Sequence, residues 1–285
     1  MKIALAQTDI IWEDKKANLH IAESFIAKAS EENIDLILFP EMCFTGFTMN
    51  VENCGEVYDW NSEIPSQSSA ETTIALVKTL AINHGINIGF GYIEKILGQA
   101  KGRNNYAIMS KDGEILSNYS KIHPFSFGTE SHYYFGGEKI VHCRVNNLNV
   151  STFICYDLRF PEIFQIASKE AELITVAASW PKGRINHWID LLKARAIENQ
   201  CYIAGINRVG IGDGLEYNGN SLIVDPLGNI VASSLENIEG LIVAELDVDL
   251  VHSLRRDFPL KADRRESLYK ELLIDNIEAI NESIH

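Results

Sequence analysis

Three side chains in this sequence have the types needed to open a carbon–nitrogen bond: the thiol of Cys155, the carboxylate of Glu41 and the ammonium of Lys121. Chemistry on an amide needs a nucleophile, a proton carrier and a fixed positive donor for the tetrahedral oxyanion. Taken singly, each residue has a plain alternative. Cys155 reads equally as a buried thiol ending a core strand, Glu41 as a solvated or capping acid, and Lys121 as a surface lysine. Their shared position separates them from that background. Each follows its own predicted strand, and in open α/β sheets functional groups gather beyond the carboxyl ends of strands.

The elements that must hold them are legible as apolar runs. Strands are expected at Lys2–Gln7, Asp35–Phe39, Ile86–Tyr92, Tyr106–Ser110, Glu114–Tyr119, Leu148–Cys155, Leu173–Ala177 and Tyr202–Asn207, rich in β-branched and aromatic residues. Between them, Asn18–Ala29, Glu71–Asn83 and Ile185–Asn199 carry the helical spacing of apolar residues. This alternation predicts an α/β protein with a largely buried sheet. Beyond it, Asn220–Val224, Ile230–Ser233 and Leu241–Leu246 read as strands joined by turns. Pro161 opens a helix just past Cys155, which puts the thiol on a strand-to-helix corner. The expected organisation is one domain, residues 1–263, and a polar amphipathic tail, 264–285, docked on the body or on a second subunit.

Composition narrows the function classes. The formal net charge is −14 over 285 residues, and no Lys/Arg cluster offers a face for phosphate backbones, which argues against nucleic acid. No segment reaches transmembrane length and the N-terminus lacks a signal-peptide pattern, so a soluble, cytoplasmic protein is expected without a membrane role. Five cysteines with no CxxC spacing suggest neither disulfides nor zinc. Cys43, Cys54, Cys143 and Cys201 read as packing residues.

Three segments carry a resemblance to a known family. Phe39-Pro-Glu-Met42, Tyr119-Ser-Lys-Ile-His123 and Phe153-Ile-Cys-Tyr-Asp-Leu-Arg-Phe-Pro-Glu162 resemble, in order, the signature segments of the nitrilase superfamily of carbon–nitrogen hydrolases. Ala178-Ser-Trp-Pro-Lys-Gly-Arg184, Leu192–Tyr202 and Asn207-Arg-Val-Gly210 look most like its ω-amidase branch. The resemblance implies a four-layer αββα sandwich, a homodimer, and no metal or organic cofactor. It implies Glu41 as general base, Lys121 as oxyanion stabiliser, Cys155 as nucleophile, and Glu130 as the residue orienting the lysine and the substrate amide.

Chemistry then predicts the rest of the site. The Tyr156 backbone N–H is expected beside the oxyanion, and Lys121 with the helix N-terminus near Phe160 is expected to favour the thiolate. Trp180 is a candidate pocket wall. Arg184 is a candidate partner for the free carboxylate of a dicarboxylic monoamide substrate, since guanidinium suits that geometry. Asp157 and Arg159 are expected to pair and hold the corner. His123, His132 and His187 read as surface or structural groups, because no cysteine-protease segment surrounds Cys155. The expected activity is release of ammonia from small keto-acid monoamides. An N-carbamoyl amine hydrolase or a nitrilase is the alternative within enzymes, and a non-catalytic interaction protein on the same fold is the alternative outside them.

Overall fold

The computed structural model describes residues 1–58 and 72–283, with side chains to residue 274. The chain divides into two units, Met1–Val251 and His252–His285.

The first unit is built on two six-stranded sheets. One contains β1 (Lys2–Gln7), β2 (Leu36–Leu38), β3 (Asn87–Lys95), β4 (Gly102–Met109) and β5 (Ile115–Ser120). The other contains β6 (His142–Val145), β7 (Leu148–Ile154), β8 (Leu173–Ala178) and β9 (Tyr202–Asn207). A separate hairpin, β10 (Val209–Gly212) and β11 (Leu215–Asn218), follows. The chain then adds β12 (Leu222–Val224) and β13 (Ile230–Ser233) to the second sheet, and β14 (Gly240–Glu245) returns to the first. Their orders are β14-β1-β2-β3-β4-β5 and β13-β12-β9-β8-β7-β6.

The centres of both sheets are parallel. Leu5 pairs with Leu38 and Leu38 with Gly89 in one, while Phe153 pairs with Val176 and Val176 with Gly205 in the other. Parallel strands covered on both faces read as continuous apolar runs. That is why β1, β2, β8 and β9 stand within a residue or two of their expected positions.

Alternation along the strands sorts side chains into layers. Ile3, Leu5, Leu36, Leu38, Tyr106 and Ile108 of the first sheet share one core with Val150, Phe153, Leu173 and Ile203 of the second. The opposite face of the first sheet, with Ala4, Ile37, Ile88 and Phe90, packs on Ala22 and Ile26 of the helix Lys15–Glu31 and on Val77 and Ala81 of the helix Thr73–His84. Helices Pro161–Ala167 and Ile185–Asn199 add Phe164, Trp188 and Leu192 to the second sheet. The result is the expected four-layer αββα sandwich.

Differences from expectation lie at the margins. The helix expected from Glu71 begins at Thr73, capped by the Thr72 side chain; Glu71 lies outside the described residues. Strand β6 and the β10–β11 hairpin had no sequence counterpart, because they are short and carry His, Arg, Gly and Glu. In the second unit, much of the polar tail is the helix Glu266–Ser283, preceded by Arg264 at 3.6 Å from Glu266. Among the described residues, no helix is long and apolar enough to cross a membrane.

Candidate active site

Glu41 owes its position to a tight turn at the end of β2. Phe39 still bonds the Gly89 carbonyl at 2.8 Å, Pro40 ends the ladder, and Met42 takes a left-handed φ of 45°. The neighbouring strand must come very close to this turn. A Cβ on Gly91 would stand 2.3 Å from the Met42 nitrogen and 2.9 Å from the Pro40 oxygen, so only glycine fits there. The Glu41 carboxylate is fully buried. Its Oε1 accepts from Lys121 Nζ at 2.9 Å and Asn104 Nδ2 at 2.7 Å, and its Oε2 accepts from the Ser179 backbone N–H at 2.9 Å.

Lys121 follows β5, which runs in the same direction as β2, so both residues leave the same edge of the first sheet. Its ammonium also donates to Glu130 at 2.8 Å (Oε2) and 3.1 Å (Oε1), and lies 5.2 Å from the centre of the Phe47 ring. Glu130 opens a single helical turn, Glu130–Tyr133. Its Oε2 accepts from the Phe125 N–H at 2.6 Å and its Oε1 from Asn104 Nδ2 at 2.9 Å.

The side chains of Glu41, Lys121 and Glu130 are 0%, 1% and 0% exposed. Removing ions from water costs several kcal/mol each, and a buried charge network is weak support for stability. It is better understood as a device for chemistry. Burial opposes the Lys121 charge, but Glu130, Glu41 and Cys155 outweigh it and hold the ammonium pKa well above the ordinary lysine range. Burial raises Glu130, with Lys121 opposing the rise and Glu41 adding to it. With both carboxylates ionised, the cluster has one more negative charge than positive.

Cys155 follows β7 with a φ of 46°. A non-glycine side chain in this region is strained and persists only when its surroundings hold it. Asp157 supplies that hold. It is fully buried; its Oδ2 accepts from the Ile154 N–H at 3.1 Å and the Tyr119 hydroxyl at 2.8 Å, and its Oδ1 from the His123 N–H at 3.0 Å. His123 Nδ1 lies 2.8 Å from the same Oδ1. Asp157 therefore ties the cysteine turn to both flanks of Lys121, across the two sheets.

Two expectations change here. Asp157 and Arg159 do not pair: Asp157 is committed to Tyr119, Ile154 and His123, while Arg159 turns to the pocket with its guanidinium 4.8 Å from the Trp180 ring centre. Nor does the resting site favour the thiolate. Burial and then Glu41 push the Cys155 thiol well above the ordinary range, and the opposing pull of Lys121 does not compensate. The nearest backbone acceptor to the thiol is the Ser179 carbonyl, with sulfur and oxygen 4.0 Å apart. Cys155 also starts a 3₁₀ turn, Cys155–Arg159, which separates it from the helix beginning at Pro161.

Cys155 and Lys121 face a pocket of about 440 Å³. Tyr156, Trp180 and Arg184 all line it, so every sequence-derived candidate is in the pocket or the buried cluster behind it. Trp180 is buried; its indole N–H donates to the Arg184 carbonyl at 2.8 Å, and its backbone N–H to Asn207 Oδ1 at 2.8 Å. The Arg184 guanidinium lies 5.6 Å from the Phe125 ring centre. Sequence reasoning missed Asn104 and Ser179, which bond Glu41, and Phe125 and Tyr217, which line the pocket. The available signal was the pair Asn104-Asn105 just ahead of the strand expected from Tyr106, since the amides that β4 buries there demand partners. Among the described residues, no group of three or more His, Cys, Asp or Glu side chains is arranged to hold a metal ion.

An αββα sandwich whose two sheets bring a thiol and an ammonium to one pocket, with two carboxylates buried behind them, defines a hydrolase of the nitrilase-fold class. The carbon–nitrogen hydrolase family model matches residues 2–256, and the chain belongs to that family. It is 34% identical to the 2-oxoglutaramate amidase of Bacillus subtilis, covering 94% of this chain and 98% of that one. It is 35% identical to the ω-amidase YafV of Yersinia enterocolitica, covering 91% and 94%. Among solved structures, Nit3 of Saccharomyces cerevisiae, described as a branch 10 member of the nitrilase superfamily, superposes with a TM-score of 0.82 at 29% identity, covering 93% and 96%.

Proposed function

We propose that the chain is an ω-amidase that hydrolyses small monoamides of dicarboxylic keto-acids, such as α-ketoglutaramate or α-ketosuccinamate, to the keto-acid and ammonia. The observation that carries the reading is the buried Lys121, fixed between Glu41 and Glu130 beside Cys155, at a pocket with Arg184 in its wall. The similarity to 2-oxoglutaramate amidase and ω-amidase supports the choice of substrate.

The amide carbonyl enters over Cys155. The thiol attacks while Glu41 takes its proton, so the nucleophile is made during the attack rather than before it. Lys121 and the Tyr156 backbone N–H receive the developing oxyanion; a single such donor is typically worth ~3 kcal/mol. Glu41 returns the proton to the departing nitrogen, ammonia leaves and a thioester remains. Water deprotonated by Glu41 then attacks the thioester, the tetrahedral adduct collapses, and the acid and the thiol are released. Glu130 and Asn104 hold Lys121 and Glu41 in place throughout, and Arg184 takes the distal carboxylate. A cytoplasmic homodimer is part of the same proposal.

The test is ammonia release from a panel of α-keto-acid ω-amides, run beside Cys155→Ala and the matching nitriles. Turnover of the amides that vanishes in the variant supports the proposal. Consumption of the nitriles in preference to the amides overturns it.

A further inference from the structure

Tyr217 brings to the pocket a hydroxyl that the bond-breaking steps leave unused. It belongs to the β10–β11 hairpin, whose Asp213-Gly214 turn has φ of 46° and 72°, the left-handed pair that closes tight hairpins. Alternation along β11 sends Leu215 and Tyr217 to the pocket, while Glu216 between them pairs with Lys182 at 2.6 Å. Against the Tyr217 ring lies Arg208, buried, its guanidinium carbon 4.8 Å from the ring centre. That guanidinium is itself fixed by the carbonyls of Ile10 at 2.9 Å, Val209 at 3.1 Å and Ile211 at 3.3 Å, and by Asp9 at 3.3 Å.

The hydroxyl on this fixed ring is uncommitted. Tyr217 is 2% exposed, yet among the described residues its Oη has no hydrogen-bond partner. Its polar neighbours at the pocket are taken: Lys121 by Glu41 and Glu130, the Ser179 N–H by Glu41, and the Trp180 indole by the Arg184 carbonyl. A buried hydroxyl costs free energy unless a ligand or a water completes it. Burial holds the phenol pKa above its ordinary range, with Arg208 opposing the rise and Cys155 and Glu41 adding to it. The nucleophile and the base therefore both act on this group, which stays a neutral hydroxyl able to accept as well as donate.

We propose that Tyr217 Oη holds the hydrolytic water of the second half-reaction, accepting one of its hydrogen bonds so that a lone pair faces the thioester carbonyl. The inference rests on the thioester route of the amidase reading, though not on the keto-acid substrate. Once ammonia has left, the water oxygen forms the new C–O bond and Glu41 takes one of its protons. The other proton stays on the product, bonded to Tyr217. The C–S bond then breaks, and Glu41 returns its proton to sulfur. A water with a base but no second anchor samples many orientations, and fixing it lowers the barrier by orientation. The step specific to Tyr217 is deacylation, whereas attack on the amide draws on Glu41, Lys121 and the Tyr156 N–H.

The experiment follows ammonia and keto-acid separately by quenched flow with 2-oxoglutaramate, in wild type and Tyr217→Phe, with intact-protein mass spectrometry of the quenched mixtures. Ammonia reports thioester formation and the keto-acid its hydrolysis. In the variant, first-turnover ammonia release should stay within a few-fold of wild type, while keto-acid release falls about tenfold or more and an acyl adduct accumulates on Cys155. Hydroxylamine, which attacks thioesters without a positioned base, should restore turnover as the hydroxamate. Phenylalanine keeps the ring against Arg208, and a chain that failed to fold would form no thioester, so damage cannot imitate the accumulation. Keto-acid release that keeps pace with ammonia in the variant, with no adduct, overturns the inference alone. A wild-type enzyme that releases ammonia from no amide of the panel overturns the amidase reading as well.

Discussion

The two sides of the pocket are built on different principles. On the first-sheet side, Glu41, Lys121, Glu130 and Asn104 are buried and bonded to one another at 2.7–3.1 Å. On the second-sheet side, Arg159 and Arg184 are half-exposed and lie against aromatic rings at 4.8 and 5.6 Å. The first arrangement fixes its charges in one geometry, with every side chain held by another. The second leaves two cations partly exposed at the pocket wall, where the proposed function places the acid end of a substrate. One side of the pocket is thus a closed, buried charge network, and the other a pair of partly exposed cations beside aromatic rings.

Substitutions should separate the two sides, and the largest effect belongs to the chemistry itself. Cys155→Ala should lower kcat by on the order of 10⁴-fold or more, measured by ammonia release, with the fold kept. Lys121→Met should come next and act on stability as well. It leaves two buried carboxylates facing one another, and a cost of about 3–5 kcal/mol in chemical denaturation is expected. Asn104→Ala removes one donor from both carboxylates and should lower kcat about 10- to 100-fold with little change in KM. Arg184→Met should do the reverse, raising KM for anionic amides roughly tenfold while kcat stays within a few-fold. A large kcat loss from Arg184→Met would break the division between the two sides.

A pH series sharpens the proton inventory. Burial raises Cys43 to about 12, and raises Cys155, Tyr106 and Tyr119 well above their usual ranges. The native state therefore keeps protons that the unfolded chain releases above about pH 8.5 for thiols and 10 for phenols. A state that binds more protons loses stability as they are withdrawn, so unfolding free energy should fall as pH rises through that range, by ~1.4 kcal/mol per pH unit for each group. Denaturant midpoints measured from pH 7 to 10 check the sign. A rise would contradict the shared burial of these groups.

The same contrast explains what was legible in the sequence. The central strands and the helix Ile185–Asn199 show as apolar patterns because both sheets are buried on both faces. Glu41, Lys121 and Cys155 were found because each directly follows a strand, and Arg184 and Trp180 because they follow β8. Asn104 was missed because the strand was expected to start at Tyr106, whereas β4 starts at Gly102 and its register turns Asn104 toward the carboxylates. Asp157 and Arg159 were misread as a pair because proximity along the chain does not say which way a 3₁₀ turn points its side chains. The elevated thiol was missed for a related reason. It depends first on burial and then on the Glu41 and Glu130 carboxylates, contributed from elsewhere in the chain, and only the fold brings these together.

The hydrogen bond from the Ser179 amide to Glu41 spans 138 positions of sequence, and the Tyr119–Asp157 bond joins β5 of one sheet to the turn that follows β7 of the other. Contacts of such separation are closed late, after the entropy of the intervening loops has been lost. The chain therefore acquires its hydrolytic competence only when the two sheets dock. During refolding, secondary structure should appear well ahead of ammonia release, and the delay between them times the docking step. An incompletely assembled chain would carry all of its reactive side chains and no reactivity.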